Sequence, residues 1–284
     1  MESHILEVSA ILNDFRVDSI GGLRAGLEIF ELAIIPSLLN NADTWTKIDF
    51  ETENKLEKLQ NLMFRNLFAV PVSTPKHMLR FELGNLNMKE KVHMKKLFFL
   101  HHLKYLDKTS LGGEFFDMQA RFRFPGLINE CRVLIKMYKI PDIIDHGHDF
   151  SKQAWKKIVE ESILKKSESI IKDEIRKYSK LKDIDLNQEG LQLKEYIKNM
   201  TLRNTRTMFR IRSHMLDLKM NRKSDQKYSD EMWKCDFCLS LDTQSHVIWC
   251  PAFASLREGK NLQNDMDLVT YFTAVMKIRE NQKT

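Results

Sequence analysis

Residues 235–250 read Cys235-Asp-Phe-Cys238-Leu-Ser-Leu-Asp-Thr-Gln-Ser-His246-Val-Ile-Trp-Cys250. Three of the four cysteines of the 284-residue chain lie in these sixteen positions, with a histidine between them. The Cys-x2-Cys pair is the tight loop that aims two thiolates at one ion. His246 and Cys250 are four residues apart, so on a helix they share a face. Together Cys235, Cys238, His246 and Cys250 supply four soft or borderline ligands, enough to close a tetrahedral Zn2+ site. All four positions are filled by protein, so the expected ion is a single structural zinc, not a catalytic one with an open water position. A unit this short has no core of its own, and metal binding is expected to supply its folding free energy. A redox Cys-x2-Cys would need a thioredoxin-like βαβ context, which the flanking sequence lacks. Phe237, Trp249 and Phe253 are expected to form the small apolar centre of the unit.

Immediately upstream lies the basic part of the chain. The formal net charge is +6, and residues 201–227 alone carry +6, from eight basic and two acidic side chains. A helix over 203–220 would align Arg203, Arg206 and Arg210 in one stripe and Met208, Ile211, Met215 and Leu218 in another. Arg212, Lys219, Arg222 and Lys223 extend the positive surface. A row of guanidinium groups at this pitch can follow a phosphate backbone, with contacts that set affinity but carry little sequence information. A solvated basic face, with some arginines paired to acids, is the alternative.

Further out, the chain reads as helix. Ten Gly and six Pro are too few for an all-β fold built on many tight turns. Apolar residues recur at helical spacing over 22–39 (Leu23, Leu27, Phe30, Ile34, Leu38) and 47–70 (Leu56, Leu59, Met63, Leu67). Pro75 suits the first turn of a short helix with Thr74 as N-cap and Gly84 as its stop. Asn87 followed by Glu90 caps a helix through Leu106. Helices are expected from Thr109–Ser110 to Phe124, over 126–139, over 150–182 in two pieces, over 190–200, and over 264–280. The apolar members of 150–182 are Trp155, Ile158, Ile163, Ile170, Ile171, Ile175 and Tyr178. The fold class is therefore mainly α: a helical bundle, a small zinc knuckle and a terminal helix. Boundaries are expected near 145 and 228, giving regions 1–145, 146–228 and 229–284.

Several other features carry no chemistry. Gly21-Gly22-Leu-Arg-Ala-Gly26 lacks the Lys-Ser/Thr of a phosphate loop and reads as a helix start. His146 and His148, between Asp145 and Asp149, sit in an acidic loop. His101-His102 and the lone Cys131 read as packing residues. There is no Gly-x-Ser-x-Gly and no adjacent Asp-Asp pair. Neither a secretory leader nor an apolar stretch of membrane-spanning length is legible, so a nuclear or cytoplasmic protein is expected.

Phrases along the chain resemble one family. Asp242-Thr-Gln244, His246, Cys250-Pro251, Phe253 and Leu256-Arg257 resemble the E/D-T-Q-x-H-x-x-x-C-P-x-Y/F-x-x-L-R ending of the reverse transcriptases of non-LTR (LINE-type) retrotransposons. Met208-Phe-Arg-Ile-Arg212 with Met215 is similar to the helix before their knuckle. Gly21-Gly-Leu23, Glu31-Leu-Ala-Ile-Ile-Pro36, Asp43-Thr-Trp45, Leu59-Gln-Asn61, Pro71-Val-Ser-Thr-Pro75 and Glu82-Leu-Gly84 resemble the stretch after their palm. The resemblance spans roughly residues 3–260. It implies a thumb, connector and zinc knuckle without the palm carboxylates that hold two Mg2+ ions in that family, hence no catalytic residue in this chain. What it implies is a non-catalytic fragment that binds RNA or DNA with low sequence specificity. A palm and fingers supplied separately, or self-association, would be its protein partners. The other reading is a helical protein-interaction scaffold with a structural zinc cap.

Overall fold

The computed structural model describes residues 20–45, 49–122, 125–145, 149–181, 184, 186, 190–222 and 233–282. Among these it is mainly helical, with three isolated antiparallel bridges, Ile20–Thr201, Leu83–Leu193 and Lys234–Leu241. The expected mainly α class is what the structure shows.

Helix α1 (Gly22–Ile29) runs through a π-turn (Phe30–Ile34) into α2 (Ile35–Leu38). The periodicity predicts burial of Ile34 and Leu38. The buried residues are instead Ile35 and Leu39, after Leu23, Leu27 and Phe30. Pro36 has no N–H to give the carbonyl four residues back, and its ring crowds that turn. The wider turn, in which the Ile35 N–H donates to Phe30 O, relieves this. It adds one residue to the turn and moves the buried face by one position.

Helix α3 (Phe50–Phe68) buries the expected Leu56, Leu59, Met63 and Leu67. Asp49 caps it, accepting from the Thr52 N–H at 2.8 Å. Helix α4 (Lys76–Leu83) follows; Pro75 occupies its N-cap position, and the expected cap Thr74 instead turns its hydroxyl to Met215 Sδ at 3.2 Å. Gly84 ends α4 in the left-handed region as expected, and a Cβ there would lie 2.4 Å from Leu193 N. Only glycine permits that crossing, which also lets the Lys194 N–H reach Glu82 O. Helix α5 (Met88–Lys104) starts with the reciprocal capping box of Asn87 and Glu90. Helices α6 (Leu111–Phe122) and α7 (Leu127–Tyr138) then pack on each other and on α5.

Residues 152–176 form one unbroken helix, α8 (Lys152–Arg176), where two pieces are expected. Its buried side chains fall every four residues: Trp155, Val159, Ile163, Ser167, Ile171 and Ile175. Ile170 and Tyr178, expected among its apolar contacts, face solvent. The seam packs against α4 and α5, the Trp155 indole N–H donates to Leu97 O at 2.7 Å, and the Ser167 hydroxyl donates to the capping-box Glu90 at 3.0 Å. One hydrophobic cluster thus continues past the loop near 145. Of that loop, 146–148 lie outside the described residues; Asp145 pairs with Arg132, and Asp149 accepts from the Tyr105 hydroxyl. Helix α9 (Glu195–Asn199) leads into α10 (Leu202–Arg212), capped by Thr201.

His93 lies on α5 with Nδ1 2.8 Å from the Tyr138 hydroxyl. Burial, then Lys89, Lys96 and Lys166, bring its pKa from 6.5 down to about 4. Between these values the unfolded chain takes a proton that folded His93 refuses, so its stabilising share is full above pH 6.5 and lost as pH falls toward 4. The gap in urea midpoint between the wild type and His93→Gln is expected to narrow between about pH 7 and about pH 4.5. A constant gap would contradict a neutral His93.

Candidate metal centre

The four sequence-predicted ligands meet. Residues 233–242 make a turn closed by the Lys234–Leu241 bridge: the Cys235 N–H donates to Ser240 O at 2.7 Å, the Leu239 N–H to Cys235 O, and the Asp242 N–H to Trp233 O, with Leu239 in the left-handed region. This turns both thiols of the Cys-x2-Cys pair to one side. Thr243 then caps α11 (Gln244–Trp249), its hydroxyl accepting from the His246 N–H at 3.0 Å. His246 stands in the first turn of α11 and Cys250 directly after its last residue, so both project toward the thiol pair. The ligand atoms of Cys235, Cys238, His246 and Cys250 all lie within 4.8 Å of one another.

The spacing suits a tetrahedral ion. Zn–S bonds of ~2.3 Å place two thiolates ~3.8 Å apart. Cys238 Sγ and Cys250 Sγ are 3.6 Å apart, far beyond the ~2.05 Å of a disulfide. Cys238 Sγ is 3.1 Å from His246 Nε2. Cys235 and Cys250 are fully buried. Burial pushes the Cys250 thiol up to about 11, against the lowering effect of the Ala252 N–H. At Cys238 burial is outweighed by hydrogen bonds from the Ser240 N–H and hydroxyl, which bring that thiol below its ordinary value. An incoming divalent ion would displace the Cys250 proton, so binding would release protons.

The surroundings hold the unit in place through residues that ligand spacing does not reveal. Asp242 is fully buried; its Oδ2 accepts from the Lys219 N–H at 2.8 Å and from the Arg279 guanidinium. Arg279 belongs to α13 (Asp265–Asn281), which follows α12 (Ala254–Arg257). The Gln244 amide donates to Ile211 O at 3.0 Å, and the Tyr271 hydroxyl to Val247 O at 2.6 Å. Arg257 donates to Cys250 O at 2.8 Å. The residues of the Asp242-Thr243-Gln244 triplet therefore act separately, as ion-pair hub, helix cap and tie to α10 in turn. Phe253 is buried against Phe237, as expected of a small core. Trp249 is not part of it: its side chain is 76% exposed.

The basic residues do not form one free stripe. Helix α10 stops at Arg212, where the Ser213 hydroxyl bonds Phe209 O and His214 turns left-handed, so Met215 and Leu218 follow the helix and do not continue it. Arg206 Nε donates to Leu67 O at 2.9 Å and its Nη2 to Asn66 O; Arg210 Nη2 donates to Ala69 O at 2.8 Å. Both guanidinium groups thus sit on the carbonyl end of α3, which is negative. Arg212 pairs with the buried Glu82 at 2.9 Å, and Lys219 with Asp236. Arg203 is exposed. The side chain of Arg222, and Lys223 altogether, lie outside the described residues.

Two outcomes are expected. Purified in reducing buffer, the chain carries one zinc; Cys250→Ser lowers this toward zero, and chelation disorders 233–257 while the far-ultraviolet helical signal is largely kept. Zinc is also lost more easily as pH falls, since the proton competes for Cys250. Separately, Arg206→Met removes the donor to Leu67 O at the end of α3 and destabilises the fold by about 1–3 kcal/mol in urea unfolding. An unchanged midpoint would mean that this arginine is a solvated surface charge. No family model, curated protein or solved structure matches the chain, so the reading of this centre stands on its own geometry.

Proposed function

We propose that the chain is a non-catalytic nucleic-acid-binding protein, as its resemblance to the post-palm region of LINE-type reverse transcriptases implies, and that its zinc unit presents a base-stacking side chain. The observation that carries this reading is Trp249. It stands one residue before a metal ligand, at the end of a helix that the ion would brace, and it is largely in solvent. A large apolar side chain normally retreats from water if the local fold allows it. Held out on a metal-braced turn, an indole offers a rigid π-face on which an unpaired base can stack, worth ~1–3 kcal/mol per base. Leu239 and Leu241, on the same metal-organised segment, are also exposed. The excess positive charge of 201–227 would supply the phosphate attraction, with Arg203 on the exposed face of α10. A zinc with four protein ligands has a structural role here, and no described residue is given a catalytic one.

A second reading, a helical interaction scaffold with a zinc cap, has its own observation. Arg206, Arg210 and Arg212 are already engaged with α3 and Glu82. Binding of a labelled single-stranded RNA and of an RNA–DNA duplex, each at two salt concentrations, separates the readings. The nucleic-acid reading expects affinity that falls steeply with salt and that Trp249→Ala lowers about tenfold for the single strand, with zinc content and unfolding midpoint unchanged. One zinc per chain without affinity for either probe would favour the scaffold.

A further inference from the structure

Along α5, Lys89, His93 and Lys96 are spaced four and three residues apart, so they share one face of the helix. Helix α5 packs on α3 and on α7, and this face lines the gap between those two helices. Each lysine is neutralised by a different neighbour. Lys89 pairs with Glu53 of α3 at 3.0 Å, and Lys96 with Glu130 of α7 at 2.5 Å. His93 stands between the two ion pairs, one turn of α5 from each. What remains open is a cleft of about 360 Å3. That size falls within the ~300–1,000 Å3 of small-molecule sites.

The α7 wall of the cleft is apolar, formed by Val133, Leu134 and Met137. Val133 is 55% exposed and Met137 40%, so both present apolar surface to whatever fills the cleft. His93 supplies one directed polar group. Its Nδ1 is taken by the Tyr138 hydroxyl at 2.8 Å. Its Nε2 is reached by solvent and, among the described residues, has no hydrogen-bond partner. Since His93 lines the cleft, this nitrogen opens into it.

The charge of the lining decides the class of ligand. Lys89 and Lys96 are cancelled by Glu53 and Glu130, and burial keeps the imidazole uncharged at neutral pH. A charged ligand would leave water for a lining with no net charge, and would have to break an ion pair to find a partner. The tautomer of His93 decides whether Nε2 donates or accepts, and a hydroxyl serves either case because it does both. An aromatic body suits the Met137 thioether, which makes favourable contacts with ring edges. We infer that the cleft binds a small uncharged aromatic alcohol, of the phenol class, with its hydroxyl on His93 Nε2 and its ring against Val133 and Met137. The inference uses no residue of the zinc unit or of 201–227, so it stands apart from the nucleic-acid reading.

Titration of the full chain, labelled with 13C at the methionine methyls, with 2-naphthol tests this; Met137→Leu identifies the Met137 signal. A saturable shift of that signal is expected, with a dissociation constant in the millimolar range or below. Val133→Glu, at an exposed helical position, should keep the helical signal, set a carboxylate against the ring and weaken binding about tenfold or more. His93→Phe removes the hydrogen bond and should weaken binding about fivefold. The anion 2-naphthoate, the same ring carrying a charge, should bind about tenfold more weakly than 2-naphthol. No saturable shift of the Met137 signal would overturn the proposal. So would binding indifferent to Val133→Glu or to a folded His93→Phe, or 2-naphthoate binding as tightly as 2-naphthol, which would make the cleft an anion site.

Discussion

The carbonyl end of α3 is where α10 is clamped onto the helices that precede it. A helix C-terminus leaves four carbonyls without intrahelical donors and carries about half a negative charge. Here Arg206 and Arg210, from a helix more than 130 residues later in the chain, donate to Asn66, Leu67 and Ala69. The same approach stacks Phe209 on Phe68 with ring centroids 4.0 Å apart. One turn on, Arg212 reaches the buried Glu82 of α4, whose carboxyl stays above its ordinary value because burial outweighs the lowering effect of the guanidinium. Losing either member of such a pair is costly, because the survivor stays buried and uncompensated. Helix α10 is therefore held by charge at Arg206, Arg210 and Arg212 and by aromatic packing at Phe209 among them.

That fixed helix is the base on which the metal unit stands. Gln244 binds the Ile211 carbonyl in the last turn of α10, and Asp242 Oδ2 accepts from both the Lys219 amide and Arg279. The four ligands need no support from the bundle to approach one another, since the 233–242 turn and the Thr243 cap place them locally. What the surroundings decide is the orientation of the unit as a whole. Short-range backbone bonds bring the four side chains together, and a buried carboxylate far more costly to desolvate than any thiol anchors the unit.

That Cys235, Cys238, His246 and Cys250 come together was legible because metal chemistry is written in residue type and spacing, both local. The helices were legible where their apolar period was uninterrupted, as in α3, and where side-chain caps are explicit, as in the Asn87–Glu90 box. Failures occurred where a remote or stereochemical constraint intervened. Pro36 shifts a register that periodicity alone assigns to Ile34 and Leu38. Thr74 has the chemistry of a cap and is drawn away by Met215, 141 residues on. The apolar pattern beyond Arg212 continues at helical spacing, but the chain leaves the helix at His214 and buries Leu218 by another path. Trp249 matched a core residue by type, and nothing in the sequence distinguishes an indole that is enclosed from one that is held out.

The arginines show why a charge count is a weak guide to a polyanion site. A guanidinium has five N–H donors, and Arg206 directs two of its nitrogens to carbonyls, leaving its charge present and its fork occupied. Bidentate phosphate binding needs the free fork, whereas long-range attraction needs only the charge. The carbonyl end beneath Arg206 and Arg210 offsets part of that charge, since a helix terminus carries about −0.5 against their +2. Their net charge remains positive, but their donors are already turned to the α3 carbonyls. Affinity that steers without gripping is set by salt; a grip on a nucleic acid has to come from elsewhere on the surface. Under the proposed reading the candidate is the exposed indole of Trp249, beside the candidate metal centre, because stacking requires a rigid face and no donor at all.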